Sequence, residues 1–329
     1  MLELGVGLAE AGLRAAPDGW VLGFERGRWF SGRKAGDARG ASVSRAGAGT
    51  AFRADGTLAI FAADAARITD RGLLVEEART NLLLNSAAPA GQTVTLAAGT
   101  YALSAWGAAG QVAAAAGTAV GSGWGAAAAT PTGGVRTLTI TTSGTVVLTV
   151  AGGPERAQLE LGTFPSRPIV TGSAAATRGV DLATAAVSVP AGQDFAVLYE
   201  IALERDAGAG RVIFDLTDGT AANKVRAVIQ SSGALQHVVS LANVTTTLSA
   251  TTRTASRTVK GAVARTGTSW LSVLDGVSVG SAALGVLPVL TGLAIGASVT
   301  GGAPLNDTVR QLIMRPGAAD GAWLEAWTR

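Results

Sequence analysis

Along much of the chain, apolar and polar residues alternate with a period of two, the spacing of a half-buried β-strand. In the first half it runs through Thr93–Leu96, Thr100–Trp106, Thr137–Thr141 and Thr145–Val150. In the second half it runs through Phe195–Glu204, Arg211–Leu216, Lys224–Ile229, Leu235–Val239, Trp270–Leu274, Leu293–Gly296 and Val309–Met314. Gly-rich and Asp-Gly turns separate these runs, as hairpins require. Only Asp320–Trp327 has helical spacing, with Trp323 and Trp327 four apart on one face. The pattern predicts an all-β chain of antiparallel strands with one short closing helix. The strands fall into two groups, and each group has enough apolar positions for its own sandwich core.

Composition narrows the class. The 329 residues include 45 Gly, no Cys and three Lys (Lys34, Lys224, Lys260), so arginine carries nearly all the positive charge. Without Cys there is no disulfide framework, and one His without thiols makes a zinc site improbable. The net charge of +3 is small for this length, and the one basic cluster is N-terminal and reads as a solvated face or a docking surface, so no nucleic-acid partner is expected. No apolar run approaches the ~18 residues of a membrane helix. Met1–Gly19 lacks the pattern of a secretory signal, so synthesis in a cytoplasm without Sec export is expected.

The first 86 residues read differently, as a small irregular segment. Trp20, Arg26, Arg28, Trp29 and Phe30 form a dense group of aromatics and arginines, which suits docking onto another protein. Gly5-Val-Gly7 has no preceding strand and no acidic residue at the needed distance, so it is no dinucleotide fingerprint. Thr171–Arg178 is small, polar and unpatterned, as a linker would be. The expected divisions are therefore 1–86, an anchoring segment; 87–180, a first sandwich with its linker; and 181–329, a second sandwich.

Two phrases carry a resemblance to known proteins. The run Ser42–Leu82, with Ala63–Ile68 and above all GLLVEEARTNLLLNS at Gly72–Ser86, resembles a junction found in fibre, spike and appendage proteins of phages and prophages. The phrase AQLELGTFPSRPIV at Ala157–Val170 resembles the end of jelly-roll domains like carbohydrate-binding modules. The strand order after residue 181 resembles the concanavalin A-like, laminin G-like lectin sandwich. The resemblance implies a virion-anchoring segment, a jelly roll and a lectin-like domain. It implies a structural spike or fibre component on the surface of a phage-like particle, in its most specific form a gene transfer agent head spike, consistent with the Ala/Gly/Arg bias of a GC-rich bacterial source. The implied partners are a capsid or appendage base protein, a companion fibre or spike protein, and host capsular or cell-surface polysaccharide. A homo-oligomer is implied as well, a trimer in a fibre or a pentamer at a five-fold vertex.

Candidate chemistry is sparse. Trp106, Trp124 and His237 are candidate sugar contacts, because a pyranose face packs on an aromatic ring; core packing explains the same tryptophans, and a hydrogen-bonded core explains a lone histidine. Asp215, Asp218 and Asn223 surround a turn and offer the oxygen ligands calcium takes, although a bare turn needs the same residues; no other cofactor is expected. Glu76, Glu77, Arg79 and Arg67 read as structural salt bridges. Glycosidases of lectin-like fold need two carboxylates about 5–9 Å apart. Glu200 and Glu204 share a strand face but lie ~13 Å apart on an extended chain, so catalysis is not expected. The rivals to a glycan-binding spike are a polysaccharide depolymerase and a pure adaptor with no glycan binding.

Overall fold

The computed structural model describes residues 20–24, 30–31, 34–35, 41–125, 128–131, 134–204, 209–252 and 258–329. Among the described residues it is nearly all β, with antiparallel pairing throughout and one short helix, Gly321–Thr328.

The larger unit is a sandwich of two sheets. In spatial order, one sheet holds Val277–Ala283, Ser269–Leu274, Thr258–Thr266, Phe195–Ala202, Asp307–Pro316, Gly72–Val75 and Ile68–Thr69, and Trp20–Gly23 also pairs with Asp307–Pro316. The other holds Val244–Thr252, Ala234–Leu241, Lys224–Ile229, Arg211–Thr217, Leu290–Ile295, Leu182–Val189 and Ala41–Ser44. Alternation along each strand sends one set of residues inward. Val197, Tyr199 and Ile201 from the first sheet meet Phe214, Leu216, Val225 and Val239 from the second in one buried core. Trp270 packs its edge against Phe195, ring centroids 5.8 Å apart.

A second apolar layer lies on the outer face of the first sheet. Ala196, Leu198, Ala262, Ala264, Val273 and Ile313 are covered by the helix through Leu324, with Trp323 and Trp327 half-buried beside it. The helix begins where Asp320 accepts a hydrogen bond from the Ala322 N–H, a capping contact. Both tryptophans, four apart on one helix face, pack against this layer, and Arg315 lies over the Trp323 ring, 4.5 Å from its centroid.

The smaller unit is a jelly roll of a three-stranded sheet (Gln92–Leu96, Gly144–Ala151, Gln111–Ala116) facing a four-stranded one (Val120–Ser122, Arg136–Thr142, Gly99–Trp106, Arg156–Leu161). Its core is Leu83, Leu96, Tyr101, Leu103, Leu138, Val146, Leu148 and Leu159.

The expected divisions at residues 86 and 180 do not describe this fold. Ala41–Ser44, Ile68–Thr69 and Gly72–Val75 are strands of the larger sandwich, at or next to its edges: Ala41–Ser44 pairs with Leu182–Ala185, and Gly72–Val75 meets Asp307–Val309. Leu73 and Val75 are fully buried in its core. The expected linker also contains a strand, since Ala176–Arg178 pairs with Arg79–Asn81. The jelly roll is thus an insertion, entered and left through a two-stranded stem. The physical reason is apolar supply: GLLV buries all four of its residues only against a strand made more than two hundred residues later.

Candidate functional site

The base of the stem is a buried cluster of charge. Arg45, Arg67, Glu76, Arg178 and Asp181 are each at most 2% exposed. Asp181 sits between two guanidinium groups, taking Arg45 at 3.0 Å and Arg67 in a closer contact. Glu76 likewise takes Arg67 at 2.7 Å and Arg178 at 3.1 Å. Three guanidinium groups against two carboxylates leave an excess cation, and backbone carbonyls meet it: Thr50 accepts from Arg67, Ala65 from Arg45 and Glu77 from Arg178. Burial pushes the Arg178 guanidinium below its usual range, and the positive charge of Arg67 acts in the same direction. The five residues come from both sides of the insertion, so the cluster ties the stem to the sandwich.

The two recognisable phrases fold onto each other just above this cluster. Asn81 is buried; its amide donates to the Ile169 carbonyl at 2.8 Å and its oxygen accepts from the N–H groups of Leu83 and Leu159, both at 3.1 Å. Gln158 accepts from the Ile169 N–H at 2.7 Å. Glu160 accepts from the Ser166 hydroxyl at 2.8 Å and from its N–H, and burial pushes the Glu160 carboxyl up against the opposing pull of those hydrogen bonds. Glu76 reaches into the same turn, accepting from the Arg167 N–H at 3.0 Å. Arg79 pairs with Glu77, donates to the Leu161 carbonyl and lies over Phe164, 4.7 Å from its centroid. The pairing expected of Glu76 and Glu77 with Arg67 and Arg79 is present, and its role is structural. The sequence reading missed Arg45, Arg178 and Asp181; the one available signal was an arginine and an aspartate in a segment otherwise free of charge.

The candidate sugar contacts separate. His237 is fully buried inside the larger core and contacts no ligand from there. It bridges the two sheets, with Nε2 2.8 Å from Tyr199 Oη and Nδ1 2.6 Å from Ser272 Oγ, which in turn donates to Ser249 Oγ at 2.8 Å. Burial lowers its pKa to about 3, so the ring is neutral at neutral pH. Trp124 is half-buried on the jelly-roll core and its Nε1 donates to the Gly121 carbonyl at 3.0 Å, which makes it a packing residue. Trp106 is half-buried at the end of Gly99–Trp106, opposite Arg156, and lies outside that core.

The three calcium candidates do not converge. Asp215 is buried and holds Arg226 with both oxygens, at 3.1 and 2.7 Å. Asp218 belongs to a turn: it accepts from the Thr220 N–H and hydroxyl and from the Asn223 amide at 2.8 Å. Although burial acts the other way, those hydrogen bonds hold its carboxyl below the usual range. The Asn223 side-chain oxygen accepts from the Ala242 N–H. Every ligand oxygen thus already has a protein donor. No group of three or more His, Cys, Asp or Glu side chains converges among the described residues.

Glu200 lies 3.3 Å from Arg310, and Glu204 pairs with Arg71 and Arg167. Of the docking candidates, Arg26, Arg28 and Trp29 lie outside the described residues; Trp20 begins the strand Trp20–Gly23 and Phe30 the strand Phe30–Ser31. No described helix is long and apolar enough to cross a membrane.

No protein-family model and no curated protein matches the chain. Among solved structures, the chain is similar to a heptameric SAP-like pentraxin of Limulus polyphemus, at 12% identity and TM-score 0.32 over 42% of this chain and 70% of that one. It is similar to the CBM40 of a Ruminococcus gnavus IT-sialidase bound to α2,6 sialyllactose, at 10% identity and TM-score 0.34 over 44% of this chain and 96% of that one. It is also similar to the mouse laminin α1 chain domains LG4-5, at 12% identity and TM-score 0.29 over 78% of this chain and 96% of that one. These overlaps are low, and the account of the fold rests on the strand order itself.

Proposed function

We propose that the chain is a structural spike or fibre component of a phage-like particle, in its most specific form a gene transfer agent head spike. In this reading it attaches to a capsid or base protein and binds host-surface polysaccharide, or presents a companion protein that does. The observation that carries the reading is the joint. The two phrases that resemble phage appendage and jelly-roll proteins are the residues that lock the insertion to the sandwich, through Glu76, Asn81, Gln158 and Glu160. A buried, many-partnered joint holds two sandwiches at a fixed attitude, which suits presentation on a particle surface. It supplies no reactive group open to a substrate. Oligomers, whether trimer or pentamer, would multiply weak single-site sugar contacts into useful avidity.

The depolymerase alternative gains nothing from Glu200 and Glu204, each engaged by arginine. The adaptor alternative gains from Trp124, which the jelly-roll core consumes. The test is binding of the full chain to polysaccharide extracted from candidate host cells, with reducing ends followed in the same tube. Saturable binding without new reducing ends supports the proposal. New reducing ends point to a depolymerase, and no binding at all points to the adaptor.

A further inference from the structure

The outer face of the second sheet carries a pair of cations, Lys224 and an Arg226 only partly used by Asp215. Leu216, Val225, Val239 and Leu293 point into the core, so their strand neighbours point outward. One outward row crosses six strands: Ala186, Gly292, Thr217, Lys224, Ser240 and Thr245. The row beside it runs Thr184, Ala294, Asp215, Arg226, Val238 and Thr247. Lys224 and Arg226 stand at the centre of these rows, about 6.6 Å apart along one strand. Every other member of the first row is no larger than threonine, so nothing on that row walls Lys224 in.

Both cations have donors to spare. The Lys224 ammonium has no hydrogen-bond or ion-pair partner among the described residues, although the residue is half-buried. Arg226 gives Nε and one Nη2 hydrogen to Asp215, at 3.1 and 2.7 Å. A guanidinium has five N–H groups, so three remain, including the Nη1/Nη2 edge that takes a carboxylate with two parallel bonds. Asp215 is itself held by the Val299 N–H at 3.3 Å, which fixes the direction of that edge. On the two strands beyond Lys224, Ser240 and Thr245 lie within hydrogen-bond distance of each other.

The geometry points to a binding face for a carboxylated polysaccharide, with Arg226 and Lys224 taking the carboxylates and the exposed hydroxyls of Thr245 and Thr247 taking sugar hydroxyls. This inference rests on the proposed glycan-binding function and names its ligand class. The two rows contain no aromatic side chain, which leaves nucleobases nothing to stack on. Thr217, Ser240 and Asp215 beside the pair are buried, so the contact surface is the two cations and the exposed threonines of the outermost strand.

The test is affinity electrophoresis of the full chain through gels containing polygalacturonate, polysialic acid or uncharged dextran. The variants are Lys224→Gln, Arg226→Lys and, as a control of equal charge loss on the other sheet, Lys260→Gln. Thermal melts confirm that each variant is folded. We expect retardation by at least one carboxylated polymer and none by dextran. Lys224→Gln and Arg226→Lys should weaken that binding at least tenfold, with Lys260→Gln within twofold of wild type. If Arg226→Lys fails to fold, Lys224→Gln decides alone.

Binding by neither carboxylated polymer overturns the inference, as does equal weakening by Lys224→Gln and Lys260→Gln, the signature of simple ion exchange. Host polysaccharide that binds Lys224→Gln as tightly as wild type would sink this inference and leave the proposed function standing. Polygalacturonate bound through Lys224, with no host polysaccharide bound, would do the reverse.

Discussion

Tyr199 and His237 meet at 2.8 Å in the middle of the larger core, one from each sheet, and both are fully buried. The bond is a polar pin through an apolar sandwich. Burial of the histidine in neutral form sets the sign of its pH dependence. Its pKa falls from an ordinary 6.5 to about 3 on folding. The unfolded chain therefore takes up the proton first. The contribution is whole above pH 6.5 and drains away as pH falls towards 3, at about 1.4 kcal/mol per unit. Urea midpoints at pH 7, 6 and 5 should fall for wild type and fall less steeply for His237→Gln. Parallel slopes for the two proteins would contradict the assignment.

The same pin explains a glycine. A Cβ on Gly261 would lie 2.2 Å from Tyr199 Oη and 2.3 Å from Cζ. The ring is fully buried and cannot swing away. Gly261→Ala should cost about 1–3 kcal/mol, the usual range for overpacking, and differential scanning calorimetry would report it as a lowered melting temperature.

Glu76→Gln keeps the shape of the side chain and removes the charge that Arg67 and Arg178 share. Leaving buried guanidinium groups short of a carboxylate costs about 3–5 kcal/mol. Asp181→Asn should do the same. Because both carboxylates hold Arg67, the double variant should differ from the sum of the singles by about 0.5–3 kcal/mol in a denaturant-unfolding cycle. Strict additivity would mean that the two acids act independently.

The two jelly-roll tryptophans should part company. Trp124→Ala removes a ring packed on the core and a hydrogen bond to Gly121, and should lower stability by about 1–3 kcal/mol. Trp106→Ala removes a ring outside that core, and its effect should be smaller in melts and larger in polysaccharide binding. Reversed outcomes would exchange their roles.

Calcium provides the simplest check of the turn at Asp218. Its oxygens and those of Asp215 and Asn223 already have protein donors. Millimolar calcium followed by a chelator should leave the melting temperature within about a degree, since a ligand that stabilises must bind the folded state. A reversible rise of several degrees would place an ion here.

Strands with clean alternation were legible in the sequence. Lys224–Ile229 and Phe195–Ala202 are where the period of two puts them. Gln111–Ala116 was not legible, because four consecutive alanines carry no alternation; only the neighbouring strand shows that Ala114 points inward and Ala115 outward. Val244–Thr252 was hidden for a similar reason, in a run of threonines. The largest misreading concerned residues 41–75. Their apolar character was visible, but their partners lie at 182–185 and 307–309, and nothing local marks a pairing over that distance. The candidate site divided in the same way. Glu76 with Arg67, nine residues apart, was within reach of the sequence, whereas Asp181 with Arg67, 114 apart, was not.

The insertion also imposes an order in time. The jelly-roll core runs from Leu83 to Leu159 without a break, so it can close as soon as that stretch has left the ribosome. The strands made before it cannot settle then. Gly72–Val75 waits for Asp307–Val309, and Trp20–Gly23 waits for Gln311–Met314. During synthesis the first-made part of the larger sandwich therefore stays unpaired on a stem that already carries a finished domain. A chain cut short between residues 178 and 307 keeps its inserted head and exposes the apolar edge beneath it.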